Sequence, residues 1–478
     1  MRTLTDLPGP RGLPLLGNLL QLDLKQLHRV LERWCDEFGT TCVFKLGRRP
    51  VVVVADPELM APILKGRPKL YRRLDTIESV FKEMGIEGVF SVEGAAWQRQ
   101  RRMTVHALDA SHLREFLPTL TKVTERLRNR WNRAADSNAT VDLQQDLMRY
   151  TVDVTTNLAF GYDMNTLESD GGEIQQHLER ILPMINRRIN APVAYWRHFK
   201  LPDDRALDRS MVAIRETVTG FVRQARARLE ADPRLVAQPT NLLEAMLAAR
   251  DEEGAAFTDE EVYGNVITML LAGEDTTANT LAWMMHFMTE HPDVPARMLA
   301  EAVRVVGSTG MLNRLEDVAK LTYIDAVAQE AMRLKPVAPI IFLESLEDVE
   351  IGGVAIPKGT ALFLLTMHAG LQDEHFAGAD EFRPQRWIDA AAHASALAGT
   401  VTAPAPAHNT KAFLPFGAGP RFCPGRQLAM VEIKTVMAML CASFELTKTE
   451  PAEPVSELFS FTMMPQNLFV KLRRRAAG

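Results

Sequence analysis

One segment limits the fold of this chain more than any other. From Thr258 to Glu290 a helical pattern runs without a proline. Thr258-Asp259-Glu260-Glu261 reads as a capping box with acids in the first turn, and Pro292 closes the far end. About 32 residues at about 1.5 Å each make a rod of about 48 Å, enough to cross a whole domain, so the rest of the chain is organised around it. Its middle is Leu270-Leu271-Ala272-Gly273-Glu274-Asp275-Thr276-Thr277. An interior glycine costs about 1 kcal/mol, and four successive polar residues interrupt an apolar helix. A disruption at that point asks for a reason, either a functional one or a kinked helix packed against a polar neighbour.

The second constraint is Phe416-Gly417-Ala418-Gly419-Pro420-Arg421-Phe422-Cys423-Pro424-Gly425, followed by a helix-like run from Arg426 to about Phe444. Glycines at 417, 419 and 425 and prolines at 420 and 424 exclude regular helix or strand, so Cys423 belongs to a tight loop that ends where a helix begins. Backbone N–H groups and the positive end of a helix dipole favour a thiolate there. Structural zinc needs about four Cys or His ligands, and the nearest other cysteine is Cys441, inside the next helix. A nucleophilic cysteine needs a base, and the closest upstream histidine is His408, in a Pro/Ala-rich stretch; that reading stays open. An axial thiolate to haem iron needs one cysteine, a glycine beside the porphyrin, an aromatic shield and a cation for a propionate. Gly425, Phe416 and Arg421 match those last three needs.

The pattern F-x-x-G-x-R-x-C-x-G resembles the haem-binding loop of the cytochromes P-450, the haem-thiolate monooxygenases. The resemblance implies a mainly α fold with small β-sheets and haem b between the long central helix and the helix after the cysteine loop. It implies Cys423 as the metal ligand and places Ala272 and Gly273 beside the cofactor. Ala272-Gly273-Glu274-Asp275-Thr276-Thr277 is similar to the family's oxygen-activation motif, A/G-G-x-D/E-T-T, in which Thr276 and Asp275 would deliver protons. Haem-thiolate peroxygenases and rearranging relatives usually lack that acid–alcohol pair. Trp97 and Arg101, a W-x-x-x-R pair on one helix face, would meet a propionate; an ordinary amphipathic helix with a tryptophan anchor is the alternative. Neighbouring Arg99 and Arg102 would form a docking face for an acidic electron donor, or be solvated.

Glu330 and Arg333 form E-x-x-R, a spacing that also occurs at Glu125/Arg128 and Glu301/Arg304, where a surface ion pair explains it. What singles out 330/333 is context: Phe382-Arg383-Pro384-Gln385-Arg386-Trp387 follows as in the family, and Glu330, Arg333 and Arg386 would form a buried charge network. Many members carry an arginine near Leu343 and Glu344, and neither position is basic here. Propionate binding then rests on Trp97, Arg101 and Arg421, with His368 as a further candidate. Leu271, Ala272, Val337, Ala338, Ile340, Ile341 and Phe342 suggest an apolar substrate pocket.

The remaining segments complete the expectation. Residues 1–25 form a Pro-rich amino-terminal segment without an anchor, as in a soluble bacterial-type member. Apolar spacing predicts a helix from Gln26 to Phe38, then strands at Cys42–Leu46 and Val51–Ala55 forming a small amino-terminal sheet. Arg67–Gly94 reads as loop with short helices, and helices follow from Leu113 to about Arg250, with Ile181–Phe199 in the family's lid region. Strands are predicted at Val349–Ile351 and Val354–Ile356, a hairpin at Leu458–Met464 and a solvated basic end at Lys471–Arg475. Residues 390–410 read as an Ala/Pro-rich surface loop. Length alone suggests about three domains, but the motifs point to a single haem domain over 1–478.

The net charge of −5 gives no support to a nucleic-acid partner. Cysteines at 35, 42, 423 and 441 make no disulfide framework, which suggests the cytoplasm. The expected activity is insertion of one oxygen atom from O2 into a hydrophobic small molecule by hydroxylation or epoxidation. Electrons would come from a separate ferredoxin or flavodoxin type donor, and the protein would act as a monomer. The competing readings are a peroxide-driven or isomerising haem-thiolate enzyme, and a haem-based sensor or carrier without turnover.

Overall fold

The computed structural model describes residues 2–107, 110–169, 173–191, 193–250, 254–308, 310–390, 408–449 and 453–475. It is mainly helical with small sheets. The chain divides into two compact units. The first comprises Met1–Ile77, Ala326–Cys423 and Glu457–Met464; the second comprises Glu78–Asp325, Pro424–Ser456 and Pro465–Gly478.

The first unit is built on a five-stranded sheet. Thr41–Leu46 lies at one edge, followed by Arg49–Val54, Ala361–Leu365, Ile340–Ser345 and Tyr71–Arg73. The run Val51-Val52-Val53-Val54 shows why it forms: side chains alternate across a strand, so a continuous apolar run fits a strand covered on both faces. Val51 and Val53 join Leu31, Trp34, Phe44, Ile340 and Phe363 in one core, with the helix Leu27–Phe38 over it. Val52 and Val54 join Met60, Ile63, Leu64, Leu343 and Leu362 in the other, against the helix Pro57–Lys65. The two predicted amino-terminal strands pair as expected, Thr41 opposite Val54. Their sheet is larger than predicted, because Arg49–Val54 also pairs in parallel with Ala361–Leu365, some 300 residues on. Local patterning carries no signal for such a partner.

The second unit surrounds the central helix, Asp259–Glu290, of 32 residues. The predicted cap is present: Thr258 Oγ1 accepts from Glu261 N–H at 3.2 Å, and Thr258 N–H donates to Glu261 Oε2 at 2.8 Å. The helix Leu143–Phe160 packs along it. Gly264 marks a close approach, since a Cβ there would fall 2.5 Å from the Glu87 carbonyl oxygen. The helix Arg426–Ser443 also packs on the central helix.

Lys471–Arg475, predicted as a solvated basic end, is mostly strand. Phe469–Arg474 is the middle strand of a three-stranded sheet, between Val141–Asp142 and Phe444–Lys448, and Arg475 Nε donates to the Cys441 carbonyl at 2.8 Å. Val470 and Leu472 are buried, so the alternation of apolar residues outweighs the charge run. The surface loop predicted at 390–410 lies almost wholly outside the described residues. Among the described residues no helix is long and apolar enough to cross a membrane.

Candidate functional site

The cysteine loop belongs to the first unit. Gly417 N–H donates to the Leu414 carbonyl and Cys423 N–H to the Phe416 carbonyl, each at 3.0 Å, folding the loop back on itself. Gly417 and Gly419 both take φ of +70°, where a side chain is strained. A Cβ on Gly419 would also lie 2.5 Å from the Leu64 carbonyl oxygen, so the loop seats on the helix Pro57–Lys65 only as glycine. Phe416 and Phe422 face each other with centroids 6.5 Å apart, and Arg421 and Cys423 are half-buried.

That exposure separates Cys423 from the other three cysteines. Cys35, Cys42 and Cys441 are all buried. The Cys35 thiol is pushed up by its hydrogen bond with Cys42 and by burial, and burial lifts Cys441 to about 12. The donor chemistry therefore fits one axial thiolate, with Cys423 as the accessible sulfur. Two residues further along the chain, Gly425 is the N-cap of the helix Arg426–Ser443.

In the second unit the central helix is buried almost from end to end. The exception in its middle is one face: Met269, Ala272, Gly273 and Thr276, spaced i, i+3, i+4, i+7, with Ala272 exposed and the others half-buried. Met269 packs with Leu113, Leu158 and Leu428, while Ala272 and Thr276 present small side chains. Thr276 Oγ1 donates to the Ala272 carbonyl at 2.9 Å, so its hydroxyl proton is engaged and its lone pairs can accept a hydrogen bond. Asp275 is buried, 5% exposed. Gly273 has a packing reason, as the reading of a helix packed against a polar neighbour expects: a Cβ there would fall 2.5 Å from Thr155 Oγ1 on the helix Leu143–Phe160.

Trp97 and Arg101 lie one turn apart on the helix Gly94–Ala107, Trp97 buried against Val89 and Val92 and Arg101 half-buried. Arg99 is not part of an open docking face. It pairs with Glu261, donates to the Ala256 carbonyl at 2.7 Å and stacks on Phe257, which ties it to the start of the central helix.

The charge network is in the first unit. Arg333 Nε and Nη2 donate to Glu330 Oε2 and Oε1 at 3.0 and 2.8 Å, and Arg386 Nε reaches Oε1 at 3.0 Å. The sequence did not reveal two further donors, Arg383 N–H at 2.9 Å and Trp387 Nε1 at 2.8 Å. Burial alone would raise the Glu330 carboxyl, but the hydrogen bond and charge of Arg333, with the other donors, hold it below its ordinary value. Remaining Arg333 protons go to the Gly370, Ala379 and Glu381 carbonyls.

The other E-x-x-R pairs differ from it. Arg128 and Glu125 form the expected surface pair at 2.9 Å. Glu301 does not: its buried carboxylate accepts from Thr322, Tyr323 and Ile324 N–H, capping the next helix start, and Arg304 is 3.6 Å away.

Near the predicted substrate stretch, Val337 is half-buried and Ala338 exposed, whereas Ile340 is buried in one face of the sheet and Ile341 packs against the other. Leu271 is buried. His368 is packed, and burial lowers its pKa from the ordinary histidine value. The predicted hairpin is formed by Ser456–Ser460 and Thr462–Gln466, and Met463 N–H donates to the Val337 carbonyl at 2.9 Å. Its anchor is Glu457, which binds His28 at 2.9 Å, Arg29 at 2.6 Å, and Lys335. These partners lie far away in sequence, and no motif announces them.

A family model described as Cytochrome P450 matches residues 7–472. The chain is 25% identical over 427 residues to "Protein LUTEIN DEFICIENT 5, chloroplastic" of Arabidopsis thaliana, covering 86% of this chain and 68% of that protein. It is 24% identical over 483 residues to "Self-sufficient cytochrome P450 monooxygenase CYP505E5" of Aspergillus niger, covering 99% of this chain and 44% of that protein. Its fold is similar to the "Crystal structure of cytochrome P450DA heme domain", with a TM-score of 0.83, 23% identity and 98% of both chains covered.

Proposed function

The chain belongs to the cytochrome P450 family, and from that premise we propose that Cys423 is its iron ligand and that Asp275 and Thr276 deliver protons during reductive oxygen activation. As a member it is a haem-thiolate monooxygenase and binds haem b through an axial cysteine thiolate. The bound haem supplies the dioxygen chemistry. The residues of this chain do the rest. Cys423 Sγ binds as thiolate from a loop fixed by Gly417 and Gly419. In the first unit Arg421 would meet a propionate and Phe416 would shield the sulfur; in the second, Trp97 and Arg101 would meet a propionate, and Gly425, Ala272 and Gly273 would lie beside the flat ligand. Thr276 Oγ1 accepts a hydrogen bond on the uncovered face while Asp275 carries protons to it. Glu330, Arg333 and Arg386 keep the first unit rigid beneath the loop.

The observation that carries this reading is that Ala272 is exposed and Thr276, one turn on, half-buried in the middle of an otherwise largely buried helix. We read the substrate as a hydrophobic small molecule that meets Leu271, Ala272, Val337 and Ala338, oxidised by hydroxylation or epoxidation in the cytoplasm by a monomeric protein. Electrons come from a ferredoxin or flavodoxin type donor. A second arrangement, in which the donor is fused to the haem portion, is favoured by similarity to the Aspergillus niger self-sufficient enzyme over 99% of this chain but 44% of that protein.

Thr276→Ala and Asp275→Asn test the reading. Each keeps the haem spectrum and substrate-induced spin shift while electrons are diverted from product to hydrogen peroxide. Unchanged coupling in both variants, or equal turnover of wild type with hydrogen peroxide alone, would refute it in favour of a peroxide-driven enzyme.

A further inference from the structure

Glu274 sits inside the oxygen-activation motif, at the position the motif leaves unspecified. It is 3% exposed, and its Oε1 meets no hydrogen-bond partner among the described residues. A carboxyl in that position is costly unless it is neutral or reached by water. Its surroundings are polar in a specific way. Thr151 Oγ1 donates to the Glu274 carbonyl at 2.8 Å, locking the helix Leu143–Phe160 to the central helix. One turn on, Thr155 Oγ1, also buried and unpartnered, faces Gly273. Gln175, 3% exposed, donates to Glu179 Oε1 at 2.9 Å through Nε2, while its own Oε1 has no partner. Glu179 is exposed at the end of the helix Glu173–Leu178. The buried carboxyl next to Asp275 thus lies within electrostatic reach of a surface carboxylate that the buried Gln175 amide also binds.

Resting on the assignment of Asp275 and Thr276 above, we propose that Glu274 is the proton reservoir behind Asp275, a positioning residue that passes its acid proton through water held by Thr155 and is refilled from solvent by way of Gln175 and Glu179. The balance is simple. The O–H bond at Glu274 breaks as one forms on water, that water gives another of its protons to the Asp275 carboxylate, and the Glu274 carboxylate takes a proton from bulk solvent. No oxidant or reductant is consumed.

The electrostatics agree with this geometry. Burial first, then the charges of Asp275 on its own helix and Glu179 beyond the neighbouring one, raise the Glu274 carboxyl well above its ordinary value. Both charged neighbours are carboxylates, and Thr151 and Thr155 from the adjacent helix do not titrate. The raised carboxyl favours the protonated form of Glu274, and a water bridging to Thr155 would satisfy the buried polar atoms of both.

The test compares wild type, Glu274→Gln, Glu274→Asp, Glu179→Gln and Asp275→Asn as full-length haem-loaded proteins. The first readout needs no turnover: the infrared difference spectrum of wild type minus Glu274→Gln at neutral pH should show a protonated carboxylic acid band that shifts in D2O, while the band of the other buried acid, Glu432, cancels. The second is the fraction of electrons ending in product across pH. Glu274→Gln should keep the substrate-induced spin shift, lower that fraction about tenfold and abolish its alkaline fall, with a raised solvent isotope effect. Glu274→Asp should recover part of the loss, and Glu179→Gln should shift the pH profile. A difference spectrum without a lost carboxylic acid band, or coupling untouched in Glu274→Gln while Asp275→Asn is uncoupled, overturns the reservoir alone. Coupling unchanged in Asp275→Asn overturns the reservoir together with the acid–alcohol assignment.

Discussion

Two buried glutamates receive opposite treatment in this protein. Glu330, in the first unit, is 0% exposed, is met by four donor residues, and stays ionised. Glu274, in the second, is 3% exposed, has an oxygen without a partner among the described residues, and has its carboxyl raised well above the ordinary value by burial. Glu432 on the helix Arg426–Ser443 resembles Glu274: fully buried, one oxygen unpartnered, and its carboxyl raised by burial alone. The contrast teaches what a buried acid is for. Surrounded by fixed guanidinium and indole donors it holds loops in one arrangement, and its charge never needs to change. Beside polar groups without a cation, it can hold a proton and release it.

The largest effect should come from breaking the satisfied site. Glu330→Gln removes the charge that Arg333 and Arg386 share and leaves two buried guanidinium groups unbalanced. The expected cost is about 3–5 kcal/mol, which denaturant midpoints and haem retention would register. The reverse is expected of Glu432→Gln, which should stabilise by about 1 kcal/mol or more near pH 8, because a buried acid that resists ionisation is replaced by a neutral amide. The sign follows from proton counting. The folded carboxyl is raised, so above the ordinary value of about 4.3 the unfolded chain binds fewer protons, and stability falls as pH rises toward the raised folded value. Glu432→Gln should flatten that slope in thermal unfolding measured from pH 5 to 9.

A third variant sharpens the ionised half of the comparison. Burial would raise Glu457, but hydrogen bonds from His28 and Arg29 and the charge of Lys335 hold it well below the usual carboxylate range. Its contribution is then present above about 4.3 and lost as pH falls toward the lowered folded value, so Glu457→Gln should differ from wild type at neutral pH and converge with it in acid. The smallest change is expected at Glu125→Gln, whose exposed partner Arg128 gives a pair worth at most about 0.5 kcal/mol. A Glu125→Gln loss as large as that of Glu330→Gln would erase the distinction between buried and surface E-x-x-R.

Sequence made the central helix legible to the residue at its start, because the capping box of Thr258 and Glu261 and the following apolar run are local signals. It also located the cysteine loop, whose glycines at positive φ are a backbone necessity. What escaped it was long-range. Nothing near Val51–Val54 announces the parallel partner Ala361–Leu365, and nothing near Glu457 announces His28, Arg29 and Lys335. Glu301 looked like one more surface pair until the helix it caps came into contact. Gly273 was read as space beside a cofactor or as packing against a polar neighbour, and that neighbour, Thr155, lies on another helix. The charge run at Lys471–Arg475 misled because alternation with Val470 and Leu472 decides the strand.

The central claim is that Cys423 alone supplies the thiolate. The most direct measurement is the carbon monoxide difference spectrum of the reduced protein, compared for wild type, Cys423→Ser and Cys441→Ser. The account predicts the red-shifted Soret band of thiolate ligation in wild type and Cys441→Ser and its disappearance in Cys423→Ser. A thiolate band that persists in Cys423→Ser would contradict it.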